Sequence, residues 1–568
     1  MATAIYMPKQ GMSMDEGTLV RWLKKVGDKV ELNEPVMEIE TDKITMEAEA
    51  PASGVILAEL VEEGAVVPVL QTIGWIGAEG EKVPESEATA AAAPAAAEAA
   101  PAASAGNEYT VAVIGGGPAG YCAAIRAAQL GGKVILFERR AVGGTCLNRG
   151  CIPTKTFVKT GEAIHSFKTA GERGVVFSAD VTASVDMPKV VEYKNNVVKK
   201  LTGGVSGLLR SNGVKVVEGE AKLADAHTIE CGGEKFAADN IILCGGSKVT
   251  MIPIEGIDNK KVITSDELLD IDHVPGKLVI IGGGIVGCEF AQPFSHFGSE
   301  VTLVEAMDRL TPALDPELSA GIEKGLAEAG VKVLTSRKVE KIYDKDDKTY
   351  VTVSGEDYEA DTILLCVGRS PVADCLGALE GQIEMNGKHV KVDDYCRTSL
   401  SNVYACGDIT DRSGLASSAM KMGEIAAENA MGGEKVCDLS RCPNIIHTFP
   451  EAVSIGMSET DAKAQYGEDL LIGKFPFGGN GMCLAAGMTD GFVKVLAEKN
   501  YGEILGVHIL GGDAAEMAAE AVDLMSMEIS VYEASEIIHA HPTMSEAFME
   551  ACADALGRSI HLPKKKKK

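Results

Sequence analysis

Val111-Ala-Val-Ile114-Gly115-Gly-Gly117-Pro-Ala-Gly120 decides how the larger part of this 568-residue chain is read. An unbroken apolar run leads into glycines spaced Gly-x-Gly-x-x-Gly. Tyr121 to Leu130 follows as a helix, and Lys133-Val-Ile-Leu-Phe137 as the next strand, ending in the acid Glu138. A lone glycine triplet says little, but strand, glycines, helix, strand and acid in this order make a complete dinucleotide fingerprint. The helix N-terminus offers its N–H groups to a pyrophosphate, and the acid accepts from ribose hydroxyls. The arrangement recurs where Lys277-Leu-Val-Ile-Ile281 runs into Gly282, Gly284 and Gly287, and Val301-Thr-Leu-Val304 ends in Glu305. In both copies the acid lies 23 positions after the first glycine. Two copies imply two dinucleotides. Glu305 would repel a 2′-phosphate and no arginine follows before Arg309, so the second copy suits NAD rather than NADP.

Just beyond the first copy stands Gly143-Gly-Thr-Cys146-Leu-Asn-Arg-Gly-Cys151-Ile-Pro-Thr-Lys155. On a regular helix two cysteines five apart point about 140° away from each other, so a shared redox role requires irregular backbone. Gly143, Gly144 and Gly150 permit it. Pro153 fits a first helical turn, which puts Cys151 near a helix N-terminus, where the macrodipole favours a thiolate. The pair reads as a dithiol/disulfide made to exchange electrons.

This stretch matches, position by position, the GGTCxNxGCxPxK pattern of the flavoprotein disulfide reductases, which the chain resembles from about Tyr109 to Leu562. The resemblance implies FAD at the first copy, held by Gly115, Gly117, Gly120, Glu138, Gly144, Thr145, Lys155 and the Asp408 of Asn402-Val-Tyr-Ala-Cys406-Gly-Asp408. It implies NAD at the second, with Gly282, Gly284, Gly287, Glu289, Glu305 and Gly368, and a Lys155–Glu289 pair beside the flavin. Cys146 is implied as the exposed interchange sulfur and Cys151 as the one next to the flavin. Ile241-Ile-Leu-Cys244-Gly-Gly-Ser247 resembles the family's exit from the FAD domain. Cys244 and Cys406 depart from the family pattern, and Cys406 is read as a small packing residue. Pro293, inside the helix after the second turn, is expected to kink it.

Near the C-terminus, His541-Pro-Thr-Met-Ser-Glu546 places a carboxylate five residues after a histidine, a spacing at which a turn lets it fix the imidazole tautomer. The segment matches the family's HPTxSE motif, which implies His541 as acid–base and Glu546 as its orienter, reaching the dithiol of a partner subunit in a homodimer.

Residues 1–79 read as a small all-β unit with a weak internal echo, Gly27-Asp-Lys-Val30 against Gly64-Ala-Val-Val67. Glu40-Thr-Asp-Lys43 lies at a hairpin tip and resembles the lysine turn of the lipoyl domains of 2-oxo acid dehydrogenase complexes, which implies lipoate on Lys43. Residues 80–107 are rich in alanine, proline and glutamate and read as a semi-stiff tether with an upper reach of some 90 Å. The expected organisation is α/β: a lipoyl domain (1–79), linker (80–107), Rossmann-like FAD domain (108–252), Rossmann-like NAD domain (253–376), central domain (377–442) and dimerisation domain with a basic tail (443–568). The implied activity is oxidation of protein-bound dihydrolipoamide, electrons passing through Cys146–Cys151 and FAD to NAD+. The implied partners are a second copy and the E1 and E2 components of a multienzyme complex. The alternatives are a lipoylated carrier or assembly subunit, and a glutathione- or mercuric-reductase-like enzyme.

Acidic residues outnumber basic ones, 82 to 54, for a net charge of −28, which argues against nucleic acid or an anionic membrane as partner. The exception is the Lys564–Lys568 tail. The fourteen cysteines lack both a secreted disulfide pattern and metal-ligand spacing, and no apolar run spans a membrane. These features point to a reducing, cytoplasmic setting or a matrix one.

Overall fold

The structure, a computed structural model, describes residues 2–8, 16–32, 34–40, 45–69, 71–78, 81, 107–178, 181–412 and 414–564. The chain forms two compact units, Met1–Ala102 and Ala103–Lys568.

In the N-terminal unit two four-stranded antiparallel sheets enclose a core of Ile5, Leu19, Trp22, Val36, Ile39, Ile56 and Ile73. One sheet runs Thr3–Tyr6, Thr72–Gly77, Gly54–Glu59, Lys29–Val30, and the other Thr45–Glu49, Pro35–Glu40, Glu16–Trp22, Val66–Pro68. The second order repeats the first with the halves of the sequence exchanged, strand for strand. The faint echo of the two glycine turns is thus the trace of a pseudo-twofold unit, in which each half supplies the two central strands of one sheet and both edge strands of the other. Pro35–Glu40 and Thr45–Glu49 pair as a hairpin with Glu40 opposite Thr45. The connecting residues, Lys43 among them, lie outside the described residues, as do most of the linker and the last four lysines.

In the C-terminal unit the first glycine turn leaves a parallel sheet in which Tyr109–Ile114 lies between Val134–Glu138 and Glu234–Leu243. Val403–Ala405, more than 150 residues further on, pairs in parallel with Glu234–Leu243 and brings Asp408 to the same sheet end. The second turn leaves a five-stranded parallel sheet centred on Lys277–Ile281. Strands in both centres are buried on both faces, which is why they read as continuous apolar runs. A third, antiparallel sheet, Asn444–Ile446, Glu451–Gly456, Ile504–Gly511, Phe492–Glu498, Leu470–Pro476, carries helices Ala514–Ser526 and Glu546–Ala555. It is tied to the second sheet's layer by the buried Lys494, whose Nζ donates to Asp315 at 2.7 Å, Glu317 at 2.9 Å and Glu459 at 2.7 Å. The helix Ile285–Phe297 runs as one span through Pro293. Proline packs there against helix Cys151–Thr169, since a Cβ on Gly161 would lie 3.0 Å from Pro293 Cα. Among the described residues no helix is long and apolar enough to cross a membrane.

Candidate active site

At the first turn the backbone closes on itself so tightly that a Cβ on Gly120 would lie 1.7 Å from Gly115 O. Gly117 starts helix Pro118–Gln129, whose first turn carries no side-chain cap and no acid, leaving its N–H groups free for an anion. Glu138 is buried beside it, one carboxylate oxygen accepting from Gly116 N at 2.7 Å and the other from Arg140 N at 2.8 Å. The turn opens into a cavity of about 510 Å³ that extends past Thr145, Cys146 and Cys151 to Lys155 and reaches Ser247 and Asp408. Ser247 Oγ donates to the Asp408 carboxylate, and Arg369 Nε to Ser247 Oγ at 2.7 Å.

The dithiol segment abuts this turn: a Cβ on Gly144 would lie 2.6 Å from Gly117 Cα. A short helix, Gly144–Arg149, ends at Gly150, whose φ of −137° and ψ of −114° reorient the chain before helix Cys151–Thr169 begins. That break is the irregularity which the five-residue spacing demands, and it brings the two thiols into hydrogen-bonding contact. Both are free thiols here. The hydrogen bond from Cys146, helped by the Lys155 cation, lowers the Cys151 pKa to about 7 against the opposing effects of burial and of Glu289. Cys146 moves the other way, raised first by its bond to Cys151 and then by burial. The assignment of Cys146 as the exposed sulfur does not hold for the single subunit. Cys146 packs into the apolar core with Leu147 and is buried, whereas Cys151 is half-buried; both line the cavity.

Lys155 Nζ donates to both oxygens of Glu289, at 2.8 and 2.7 Å. Glu289 is expected both among the NAD residues, by its helix, and in a pair with Lys155 beside the flavin; its side chain, 3% exposed, makes that pair and lines the first cavity. Its Oε1 also accepts from His447 N at 3.0 Å. Two contributors escaped the sequence reading. One is the His447 segment, over 150 residues from Glu289, for which no local pattern existed. The other is helix Ala416–Ala430, whose N-terminus borders the cavity; its N-cap position holds Leu415, whose side chain cannot cap, where Ser, Thr, Asp or Asn is usual.

The second turn repeats the first. Gly282 has φ +116°, Gly284 starts helix Ile285–Phe297 without a side-chain cap, and a Cβ on Gly287 would lie 2.0 Å from Gly282 O. Glu305 accepts from Gly283 N and Met307 N, each at 2.7 Å, and Gly368 has φ +111°.

Residues 109–423 match the pyridine nucleotide-disulphide oxidoreductase family, and residues 442–552 match its dimerisation domain. The chain belongs to the pyridine nucleotide-disulphide oxidoreductases. Residues 3–85 match the biotin/lipoyl domain, described as that of biotin-requiring enzymes. Dihydrolipoyl dehydrogenases of Bacillus subtilis and Geobacillus stearothermophilus are 37% and 38% identical to it, over 80% and 79% of this chain and 100% and 97% of theirs. Among solved structures, LpdA of Mycobacterium tuberculosis superposes with a TM-score of 0.73 at 25% identity, covering 78% of this chain and 99% of its own. The HOCl-induced flavoprotein disulfide reductase RclA of Escherichia coli gives 0.70 at 26%, covering 78% and 99%.

The cofactors of this family are FAD and NAD, and the residues present fit both: two uncapped helix N-termini, each behind a glycine turn with a carboxylate at its second glycine, and one elongated cavity ending at a dithiol. The His541–Glu546 pair stands apart from that cavity within the subunit. His541 Nδ1 lies 2.8 Å from Glu546 Oε1, and the ring is exposed. Glu546 Oε2 accepts from Thr543 N at 3.0 Å; this bond, followed by that to His541, lowers the Glu546 pKa.

Proposed function

We propose that this oxidoreductase is a dihydrolipoyl dehydrogenase carrying its own lipoyl domain, in which Lys43 bears lipoate and the unit presents it to dithiol-disulfide chemistry within a multienzyme complex. The observation that carries the reading is the contact between Cys146 and Cys151 at the end of a dinucleotide-shaped cavity, with the Cys151 pKa lowered and that of Cys146 raised.

In the oxidised form the two cysteines are joined. A dihydrolipoyl thiol is a poor nucleophile while protonated, so a base must take its proton. That base is His541 of the partner subunit: Glu546 engages Nδ1, which leaves Nε2 as the proton acceptor. Such a role across a dimer accounts for an exposed histidine held in a fixed orientation. The substrate thiolate attacks Cys146 and displaces Cys151, whose low pKa makes it the better leaving thiolate. The second substrate sulfur then closes the lipoamide ring and releases Cys146. Lys155 stabilises the Cys151 thiolate, and Glu289 holds Lys155 in place. Gly115, Gly117, Gly120, Glu138, Gly144, Thr145 and Asp408 would hold FAD; Gly282, Gly284, Gly287, Glu305 and Gly368 would hold NAD. The chemistry that bound flavin supplies is acceptance of the electron pair from the dithiol and its delivery as hydride to NAD+.

The test is anaerobic NADH formation from dihydrolipoamide and NAD+ by the flavin-reconstituted protein, beside Cys151→Ser. Turnover in the parent and none in the variant is expected. A protein that takes up no flavin, or a variant that keeps its activity, would overturn the reading. Intact mass of protein made with lipoate available reports on Lys43: one lipoyl addition, absent in Lys43→Arg, is expected.

A further inference from the structure

Outside the dithiol, four more thiols make a continuous buried row. Cys244 and Cys406 follow adjacent parallel strands, where Leu243 pairs with Ala405, and both line the cavity. With Cys396 and Cys437 they belong to one buried core, and Cys406 and Cys437 both bear on the Cys396 thiol, whose pKa they lower from its usual range. All four are buried. The two departures from the family pattern are therefore one structural feature, and they lead away from the cavity to a pair of thiols that the proposed reaction does not use.

We propose that Cys396 and Cys437 form a second, peroxide-oxidisable dithiol whose disulfide clamps the segment completing the cavity. Their contact is built by the backbone, independently of sulfur. Cys437 N donates to Asp394 O at 2.7 Å, while Arg412 donates through Nη2 to Cys437 O and through Nη1 to Asp393 O, each at 2.9 Å. One guanidinium thus fastens together the two stretches that carry the cysteines. Cys396 adopts φ +62°, a conformation uncommon for a residue with a side chain. Hydrogen bonds from Cys406 and Cys437, with the nearby Arg412 cation, hold its thiol well below the usual range, which favours the nucleophilic thiolate. Cys437 is the one buried residue in the otherwise exposed stretch 432–438, so a small local opening admits an oxidant.

The chemistry balances with hydrogen peroxide as oxidant. The Cys396 thiolate attacks one peroxide oxygen and breaks the O–O bond, giving a sulfenic acid and hydroxide, which takes up the proton Cys396 had released and leaves as water; the Cys437 thiol then displaces the sulfenic oxygen as a second water, so that an S–S bond forms. A thiol reductant reverses it. The new bond would enclose strand Val403–Ala405, Asp408 and helix Ala416–Ala430, all of which border the cavity or support its wall.

The test uses flavin-loaded full-length protein, reduced and then exposed to hydrogen peroxide, blocked with iodoacetamide and digested with trypsin without reduction. Cleavage after Lys391, Arg397, Arg412, Lys435 and Arg441 puts Cys396, Cys406 and Cys437 on separate peptides. The expected product is a 392–397 peptide joined to 436–441, two hydrogens lighter than their sum, absent in Cys437→Ser and retained in Cys151→Ser. The second readout is flavin release in mild denaturant, expected to be several-fold slower after peroxide in the parent and unchanged by peroxide in Cys437→Ser. The link does not depend on dihydrolipoamide turnover, so loss of that activity leaves the inference standing. Recovery of both peptides as alkylated thiols while Cys146 and Cys151 have oxidised, or a link from 392–397 to the Cys406 peptide instead, would overturn it.

Discussion

Gly120 and Gly287 occupy matching places in two sheets: each packs its Cα onto the carbonyl of the first glycine of its turn, and each turn's acid, Glu138 or Glu305, accepts from the N–H of the second glycine. Even the residue behind the turn is the same, Cys244 in one copy and Cys366 in the other. The surroundings differ. The first turn is followed by a segment that folds back onto it and ends in two touching thiols, while the helix of the second sends Glu289 out of its own sheet and into the neighbouring cavity. Identical turn geometry thus fixes where a dinucleotide lies, and the chemistry done there depends on what the adjoining chain adds.

Three substitution contrasts can break that comparison, and one titration sharpens it. The largest effect is expected from Gly120→Ala, whose Cβ has no room against a backbone carbonyl: the protein should purify without flavin, seen as loss of visible flavin absorbance per subunit. Gly287→Ala should stay yellow and still be reduced by dihydrolipoamide, failing only in NADH formation. If both variants bleach, the two turns are not separable. Next, His541→Gln should lower turnover by roughly 10²–10⁴-fold with flavin content unchanged, as expected for a lost acid–base group, and Glu546→Gln should fall less. A smaller loss is expected for Glu305→Gln, roughly a tenfold rise in the KM for NAD+, the scale of a weakened hydrogen bond to a charged group. The smallest effect concerns pH. The Cys151 pKa is depressed to about 7, so its thiolate is present above that pH and is lost as pH falls through it. Lys155→Met removes a lowering influence and should move the thiolate absorbance midpoint of the reduced enzyme upward. Glu289→Gln removes a raising one and should move it downward. Midpoints that move together would show that the pair acts only as packing.

What the sequence disclosed follows the range of the interactions involved. Glycine turns, the Cys146–Cys151 segment and His541–Glu546 are legible because their geometry is set within a dozen residues, by backbone conformations that few other residues permit. The His447 N–H on Glu289, the two hydrogen bonds between the Gln292 amide and the backbone of Phe449, and Lys494 among three carboxylates are set between segments over 30 residues apart, so no local pattern announces them. Pro293 shows the same limit from the other side: proline propensity argues against a helix interior, and the span Ile285–Phe297 nevertheless continues through it. The burial of Cys146 likewise depends on which way a helix is turned, which spacing alone leaves open.

The strand exchange in the N-terminal unit has a mechanical consequence. Its last strand, Thr72–Gly77, is not at a sheet margin but lies between Thr3–Tyr6 and Gly54–Glu59. A pull from the side where the chain leaves this unit therefore loads two rows of backbone hydrogen bonds in shear at once, instead of unzipping them singly.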